Sequence, residues 1–287
     1  MTETATMAAP IFGTKLYQQR ARKVLPLLVR QARAGTYIEY GQLAAELGIP
    51  NARNLNYVLG CIGQTMLHLA KQSGQKIPTI QCIVVNKSTG LPGAGIGWFL
   101  ANSDEFKKMS HAAKRRLVKV NAEEVFAYER WGNVLRQLEL SEATSTPTAL
   151  VKKTAKSSYG GKGESDEHRK LKKHIATHPQ LLNLPRHIQG IEEYDLPSGD
   201  SVDVVFTCGG ALIGAEVKSF ISSEVDITRG LFQCVKYRAV MEAYQASLSH
   251  ERDVRVVLIL EGSLPSKLIP LRNMLGIEVL ENVTPEE

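Results

Sequence analysis

The stretch that most constrains this chain runs from Asp203 through Gly209-Gly210 to Glu216-Val217-Lys218. Two apolar runs, Val202 to Thr207 and Ala211 to Val217, flank the glycine pair. That arrangement signals a tight β-hairpin, because the short turn between paired strands needs positive φ. Three ionisable residues interrupt the buried pattern. Side chains alternate faces along a strand, so Glu216 and Lys218 point to one side and Asp203 on the partner strand is placed to face Glu216. Two carboxylates held close repel each other unless a cation sits between them, and hard oxygen ligands suit Mg²⁺ or Mn²⁺. A purely structural ion-pair cluster is the competing reading. Burying such charges without a metal costs on the order of several kcal/mol, which favours a functional role.

Asp203 followed by Glu216-Val217-Lys218 resembles the core motif of the PD-(D/E)XK nucleases. Upstream, Glu164 to Pro179 reads as the first helix of that core. Downstream, Gln233-Cys-Val-Lys-Tyr237 matches the Q-x-x-x-Y helix signature of the RecB-like branch. The resemblance spans residues 164–287 in the order helix, strands, helix, strand. It implies a restriction-endonuclease-like α/β sandwich in which Asp203 and Glu216 hold the metal. Lys218 would then orient or activate the attacking water, and Gln233 and Tyr237 would position substrate or brace the ligands. Family members often draw a further acid from the first helix, where Glu164, Glu167 or His168, Leu171 and Ile175 share a face. Glu167 is the expected acid and Glu164 the next choice. An acidic cluster that only complements the helix dipole is the rival explanation.

The N-terminal half has a different texture. Lys15 to Arg33 reads as a helix that Pro26 is expected to kink or divide, with Gly35 as its cap. Tyr40 to Leu47 forms a short helix, Gly48-Ile-Pro50 a turn, and Asn51 to Leu69 a longer helix with Leu55, Val58, Leu59, Ile62, Met66 and Leu69 on one stripe. Arg53, Asn54 and Asn56 fall outside that stripe near the N-terminus, as a helix-turn-helix presents polar groups to a DNA groove. An ordinary helical hairpin gives the same pattern. Ile77 to Val85 reads as a strand, Asn86 to Gly90 as a turn carrying Lys87, and Leu91 to Phe99 as a return, together a β-wing. Residues 35–100 in this order resemble the DNA-binding domain of O6-alkylguanine-DNA alkyltransferases and their alkyltransferase-like relatives. The family's reactive Pro-Cys-His-Arg is replaced by Pro78-Thr79-Ile80-Gln81, and Cys82 has no adjacent His to lower its pKa. Alkyl transfer is therefore not expected, and a DNA-reading scaffold is.

Asp104 to Leu140 is helical in composition. Lys114, Arg115 and Arg116 lie in a cationic first half expected to face solvent or phosphate, and Val125, Phe126, Trp131 and Leu135 in a second half expected to pack. Residues 141–163, rich in Ser, Thr, Pro, Lys and Gly, read as a flexible basic linker. The division expected is thus a winged-helix-like DNA-binding domain over 1–140, the linker, and a nuclease domain over 164–287. The Gly160-Gly-Lys162-Gly run lacks the full phosphate-loop spacing and a preceding strand.

Hydrophobic content of 43% and charged content of 22% describe a globular chain, and no apolar run approaches the ~18 residues of a membrane span. The first ten residues read as a disordered tail without a secretory pattern, and the spacing of Cys61, Cys82, Cys208 and Cys234 points to reduced structural thiols in a cytoplasm. A net charge of +6 favours an anionic partner. The combined expectation is a cytoplasmic, Mg²⁺-dependent endonuclease acting on double-stranded DNA, in restriction or antiphage defence. Alternatives are a DNA-binding regulator with an inactive nuclease fold and a DNA-repair or recombination nuclease. Cutting both strands of a duplex needs two sites, which makes a homodimer the expected assembly.

Overall fold

The computed structural model describes residues 7–101, 103–143, 165–248 and 253–285. The chain divides into two compact units, Met1–Ser145 and Thr146–Glu287. The Gly160-Gly-Lys-Gly run, Glu164 and most of the expected linker lie outside the described residues. No helix among the described residues is long and apolar enough to cross a membrane.

The first unit is mostly helical. Helix α1 (Leu16–Ala34) runs unbroken through Pro26, with buried Leu25, Leu28 and Val29 around the proline, and ends at Gly35 with φ 68°. The packing of this buried face outweighs the hydrogen bond that an interior proline removes. Strand β1 (Ile38–Glu39) leads into helix α2 (Tyr40–Glu46). A 3₁₀ turn at Ala52–Asn54 then opens helix α3 (Leu55–Ser73), whose expected apolar stripe is buried from Leu55 to Leu69. The segment before α1 is not a free tail from Ala8 onward. Ala8 and Ile11 belong to the core, and the Ile11 N–H donates to Thr65 Oγ1 at 3.0 Å.

The expected β-wing is not present as a hairpin. Ile80–Ile83 forms a 3₁₀ turn, and the short strand β2 (Val84–Val85) pairs in parallel with β1. The return segment forms a 3₁₀ turn at Ala94–Ile96 and helix α4 (Gly97–Leu100). Leu91 to Gly97, interrupted by Pro92, Gly93 and Gly95, has no two-residue alternation to hold it in a ladder. Helices α5 (Ser103–Lys108), α6 (His111–Ala127) and α7 (Trp131–Gln137) complete the unit. As expected from composition, Arg115, Arg116 and Lys119 are exposed while Val125, Trp131 and Leu135 are buried.

The second unit is an α/β sandwich built on a five-stranded mixed sheet in the order β3-β4-β5-β6-β7. Strands β3 (Ile191–Asp195), β4 (Ser201–Cys208) and β5 (Ala211–Lys218) form an antiparallel meander. Strands β6 (Asp253–Leu260) and β7 (Glu278–Leu280) continue in parallel from β5. Helix α8 (Asp166–Thr177) covers one face through Leu171 and Ile175, packed with Phe206, Ile213 and Val217. Helix α9 (Glu224–Ala246) covers the other through Leu231, Cys234 and Met241. Burial on both faces explains why β6 reads as a continuous apolar run rather than an alternating one. Helix α10 (Ile269–Leu275) returns the chain to β7.

Candidate active site

The β4–β5 hairpin turns at Gly209, φ 55°, and pairs Val204 with Ala215. One residue further, Asp203 and Glu216 stand opposite each other where the ladder ends. The Val217 N–H, with no strand carbonyl to meet, donates to Asp203 Oδ2 at 2.7 Å. Lys218 Nζ lies 2.5 Å from Glu216 Oε1. Room for the lysine stem comes from Gly230 on α9: a Cβ there would sit 2.9 Å from Leu258 Cδ1 and 3.1 Å from Lys218 Cε.

The helix contributes His168 to this group. Its Nε2 lies 3.5 Å from Asp203 Oδ1, and the Ser165 hydroxyl caps the first turn by accepting the His168 N–H. Glu167, the expected acid, makes no ion pair or hydrogen bond with the cluster among the described residues. The two positions are adjacent, and the signal available in the sequence was the shared face of His168, Leu171 and Ile175. One turn further, buried Lys172 pairs at 2.7 Å with Glu193, whose φ of 51° places a non-glycine residue in the left-handed region. On α9, Gln233 Nε2 donates to the Tyr237 hydroxyl at 3.1 Å, while Gln233 Oε1 is buried without a partner among the described residues.

The electrostatics are unequal. Burial pushes Glu216 up to about 7, Lys218 opposes that shift, and the Asp203 charge adds to it. Burial alone would raise Asp203 as well, but the His168 hydrogen bond, the Lys218 charge and the Val217 N–H together hold it below the usual carboxylate range. Burial disfavours the Lys218 ammonium, and the two facing carboxylates more than compensate, so it stays a cation. Burial first, then the Glu216 charge, keeps the Tyr237 phenol protonated. Burial likewise raises Cys234, so no thiolate competes at the site.

A divalent cation fits this donor set in part. Glu216 is a buried, destabilised anion, and Lys218 occupies only its Oε1, while Asp203 stands across from it. Among the described residues no group of three or more His, Cys, Asp or Glu is arranged to hold a metal ion by itself. Further ligands would have to come from water and substrate oxygens, as is usual for Mg²⁺.

In the first unit, Arg53, Asn54 and Asn56 are exposed at the start of α3. They line a shallow depression with Tyr17, Arg20 and Tyr57. Asn56 also borders a cleft lined by Tyr40, Leu59, Gln81, Gly93 and Phe99. Both amide atoms of Gln81, a buried residue, lack a hydrogen-bond partner among the described residues. Lys87 is exposed, and Arg115 reaches the same turn through Thr89 O at 3.5 Å. Lys114 instead folds back on Lys107 O and the Phe106 ring. Burial pushes the Cys82 thiol up to about 12, which rules out a ready nucleophile at that position.

No family model matches the chain, and no curated protein matches it. A solved structure of an EndoMS–dsDNA2 complex is similar at 15% identity and a TM-score of 0.31, over 45% of this chain and 49% of that one. The chain thus spans about half the length of that neighbour, and so weak a likeness is a similarity and no more.

Proposed function

We propose that the second unit is a divalent-cation-dependent deoxyribonuclease of the PD-(D/E)XK type and that the first unit binds duplex DNA. The observation that carries this reading is Glu216: a buried carboxylate facing a second one and pushed up to about 7, although Lys218 reaches its Oε1 and His168 lies beside Asp203. Mg²⁺, or Mn²⁺, would supply the positive charge that keeps it ionised. A bound cation would neutralise charge on the scissile phosphate and acidify the attacking water. Asp203 and Glu216 would hold it, with His168 fixing the Asp203 carboxylate. Lys218, kept protonated, is a donor that orients the water or stabilises charge on the phosphate rather than a base. Gln233 and Tyr237 present a neutral amide and phenol to the same face.

Arg53, Asn54, Asn56, Lys87, Arg115 and Arg116 are the proposed DNA contacts of the first unit, with Lys114 at their margin. The buried Gln81 amide, without a hydrogen-bond partner among the described residues, lines the cleft that Asn56 borders, and an opening of that cleft would offer it to a base edge with matching donors and acceptors. A homodimer would deliver the second cut, and restriction or antiphage defence is the setting we favour for such a binding-plus-cutting chain. Incubating the purified protein with plasmid, linear and single-stranded DNA, with Mg²⁺ or with EDTA, tests the reading. Cation-dependent cleavage is expected. Binding without cleavage in any divalent cation would leave a DNA-binding protein with an inactive nuclease fold.

A further inference from the structure

Two contacts tie α8 to the edge of the candidate site, and they come from successive turns of the helix. His168 Nε2 lies 3.5 Å from Asp203 Oδ1, and Lys172 Nζ lies 2.7 Å from Glu193 Oε1. Positions four apart share a helix face. Their partners share a register position on neighbouring strands: β3 pairs Glu192 with Val204 and Tyr194 with Val202, which leaves Glu193 opposite Asp203. Lys172 is 3% exposed, whereas the Glu193 side chain that meets it is 68% exposed. The Lys172 hydrogen bond and charge hold the Glu193 carboxyl below its usual range, and the charges of Asp203 and His168 reach it too. Glu193 is also strained. Of the non-glycine residues with positive φ among the described residues, it is the one that lies within a strand, and glutamate lacks the tolerance of that region that asparagine has.

We propose that Lys172 and Glu193 are positioning residues that hold His168 against Asp203. For its effect on cleavage this rests on the nuclease reading. Leu171 and Ile175 decide which face of α8 meets the sheet, but apolar contact is non-directional and leaves small rotations of the helix open. An ion pair with a buried ammonium closes them. Turning α8 away from Asp203 would pull Lys172 from Glu193 and strand its charge among apolar side chains. Stability alone explains the pair poorly. A buried lysine carries a desolvation penalty that an apolar side chain of similar volume would not, and the strain at Glu193 subtracts further. Both costs fit a contact retained for geometry. Asp203 is held by His168, Lys218 and the Val217 N–H, and of these the His168 contact depends on how α8 is turned.

The test uses the full chain as wild type, Lys172→Met, Glu193→Gly and Glu193→Gln, with ¹⁵N-labelled histidine and no added metal. His168→Gln assigns the His168 ring resonances, and Asp203→Ala marks where they lie once the partner is gone. At one fixed pH, Lys172→Met and Glu193→Gly should move the Nε2 resonance towards its Asp203→Ala position. Glu193→Gln, whose amide oxygen still accepts from Lys172, should stay nearer wild type. Glycine adopts a positive φ freely and methionine fills the lysine's place, so both disruptive variants should melt near wild type. With Mg²⁺ and DNA, both should lose about 10–100-fold in kcat with KM little changed. A His168 resonance that stays in place in both variants overturns the proposal whatever cleavage does, and so does a wild-type kcat in variants whose resonance has moved. If the resonance moves as expected but wild type cuts no DNA in any divalent cation, the nuclease reading falls while the positioning of His168 stands.

Discussion

Each unit buries an ion pair at 2.5 Å, Arg30–Glu46 in the first and Lys218–Glu216 in the second. In the first, the guanidinium meets both oxygens of Glu46, at 2.5 and 2.9 Å, and extends to Gln31. The charges balance in a planar fork that leaves neither oxygen of Glu46 unmet. In the second, Lys218 reaches one oxygen of Glu216 while His168 lies beside Asp203, and burial pushes Glu216 up to about 7 despite both. Equal length and similar burial thus conceal different electrostatics. A balanced pair stabilises a fold, whereas an unbalanced one holds free energy that a ligand can recover.

The largest expected effect breaks the second pair. Asp203→Ala and Glu216→Gln should each lower cleavage by at least about 100-fold; the thermal midpoint should stay level or rise in Glu216→Gln, where a destabilised buried anion is removed, and fall in Asp203→Ala, which removes a carboxylate held by His168, Lys218 and the Val217 N–H. Cleavage gels and thermal melts on the same preparations check this. Near-normal activity in either variant would make the cluster structural. Breaking the first pair should do the reverse. Glu46→Ala strands Arg30 and should cost about 3–5 kcal/mol of stability, whereas Arg30→Met/Glu46→Leu should recover most of it. Denaturant melts measure both, with cleavage per folded molecule unchanged.

A third test uses pH. Glu216 has a folded-state pKa of about 7, above its ordinary value. The folded protein therefore keeps a proton that the unfolded chain releases. That contribution, on the order of 3 kcal/mol, is fully present below the ordinary carboxylate pKa and lost as pH rises through about 7. A cation that binds the deprotonated carboxylate should restore the loss, so Mg²⁺ should raise the melting temperature more at pH 8 than at pH 5. Equal shifts at both pH values would place the cation elsewhere. The smallest effect is expected from Gly230→Ala, whose added methyl must displace Leu258 or Lys218. It should cost about 1–3 kcal/mol and lower kcat more than it raises KM, which steady-state kinetics resolve.

Much of the candidate site's arrangement was legible from local geometry. Strand alternation places Asp203, Glu216 and Lys218 on one face wherever the hairpin folds, and Gly209-Gly210 marks its turn. The pairing of Gln233 with Tyr237 follows from one turn of helix. The β-wing was not legible, since Ile77 to Phe99 mixes apolar, proline and glycine residues without a period. Nor was the docking of Ala8 and Ile11, because a short apolar segment shows no partner until the groove beside α1 and α3 exists.

The sequence by itself determined the acid–acid–lysine face, because period-two alternation is a property of neighbouring residues. Only the tertiary structure decided that His168, not Glu167, meets Asp203. Adjacent helix positions point about 100° apart, and the choice between them depends on how Leu171 and Ile175 seat α8 against Phe206, Ile213 and Val217. That rotation is set by packing between segments distant along the chain, which no local pattern records.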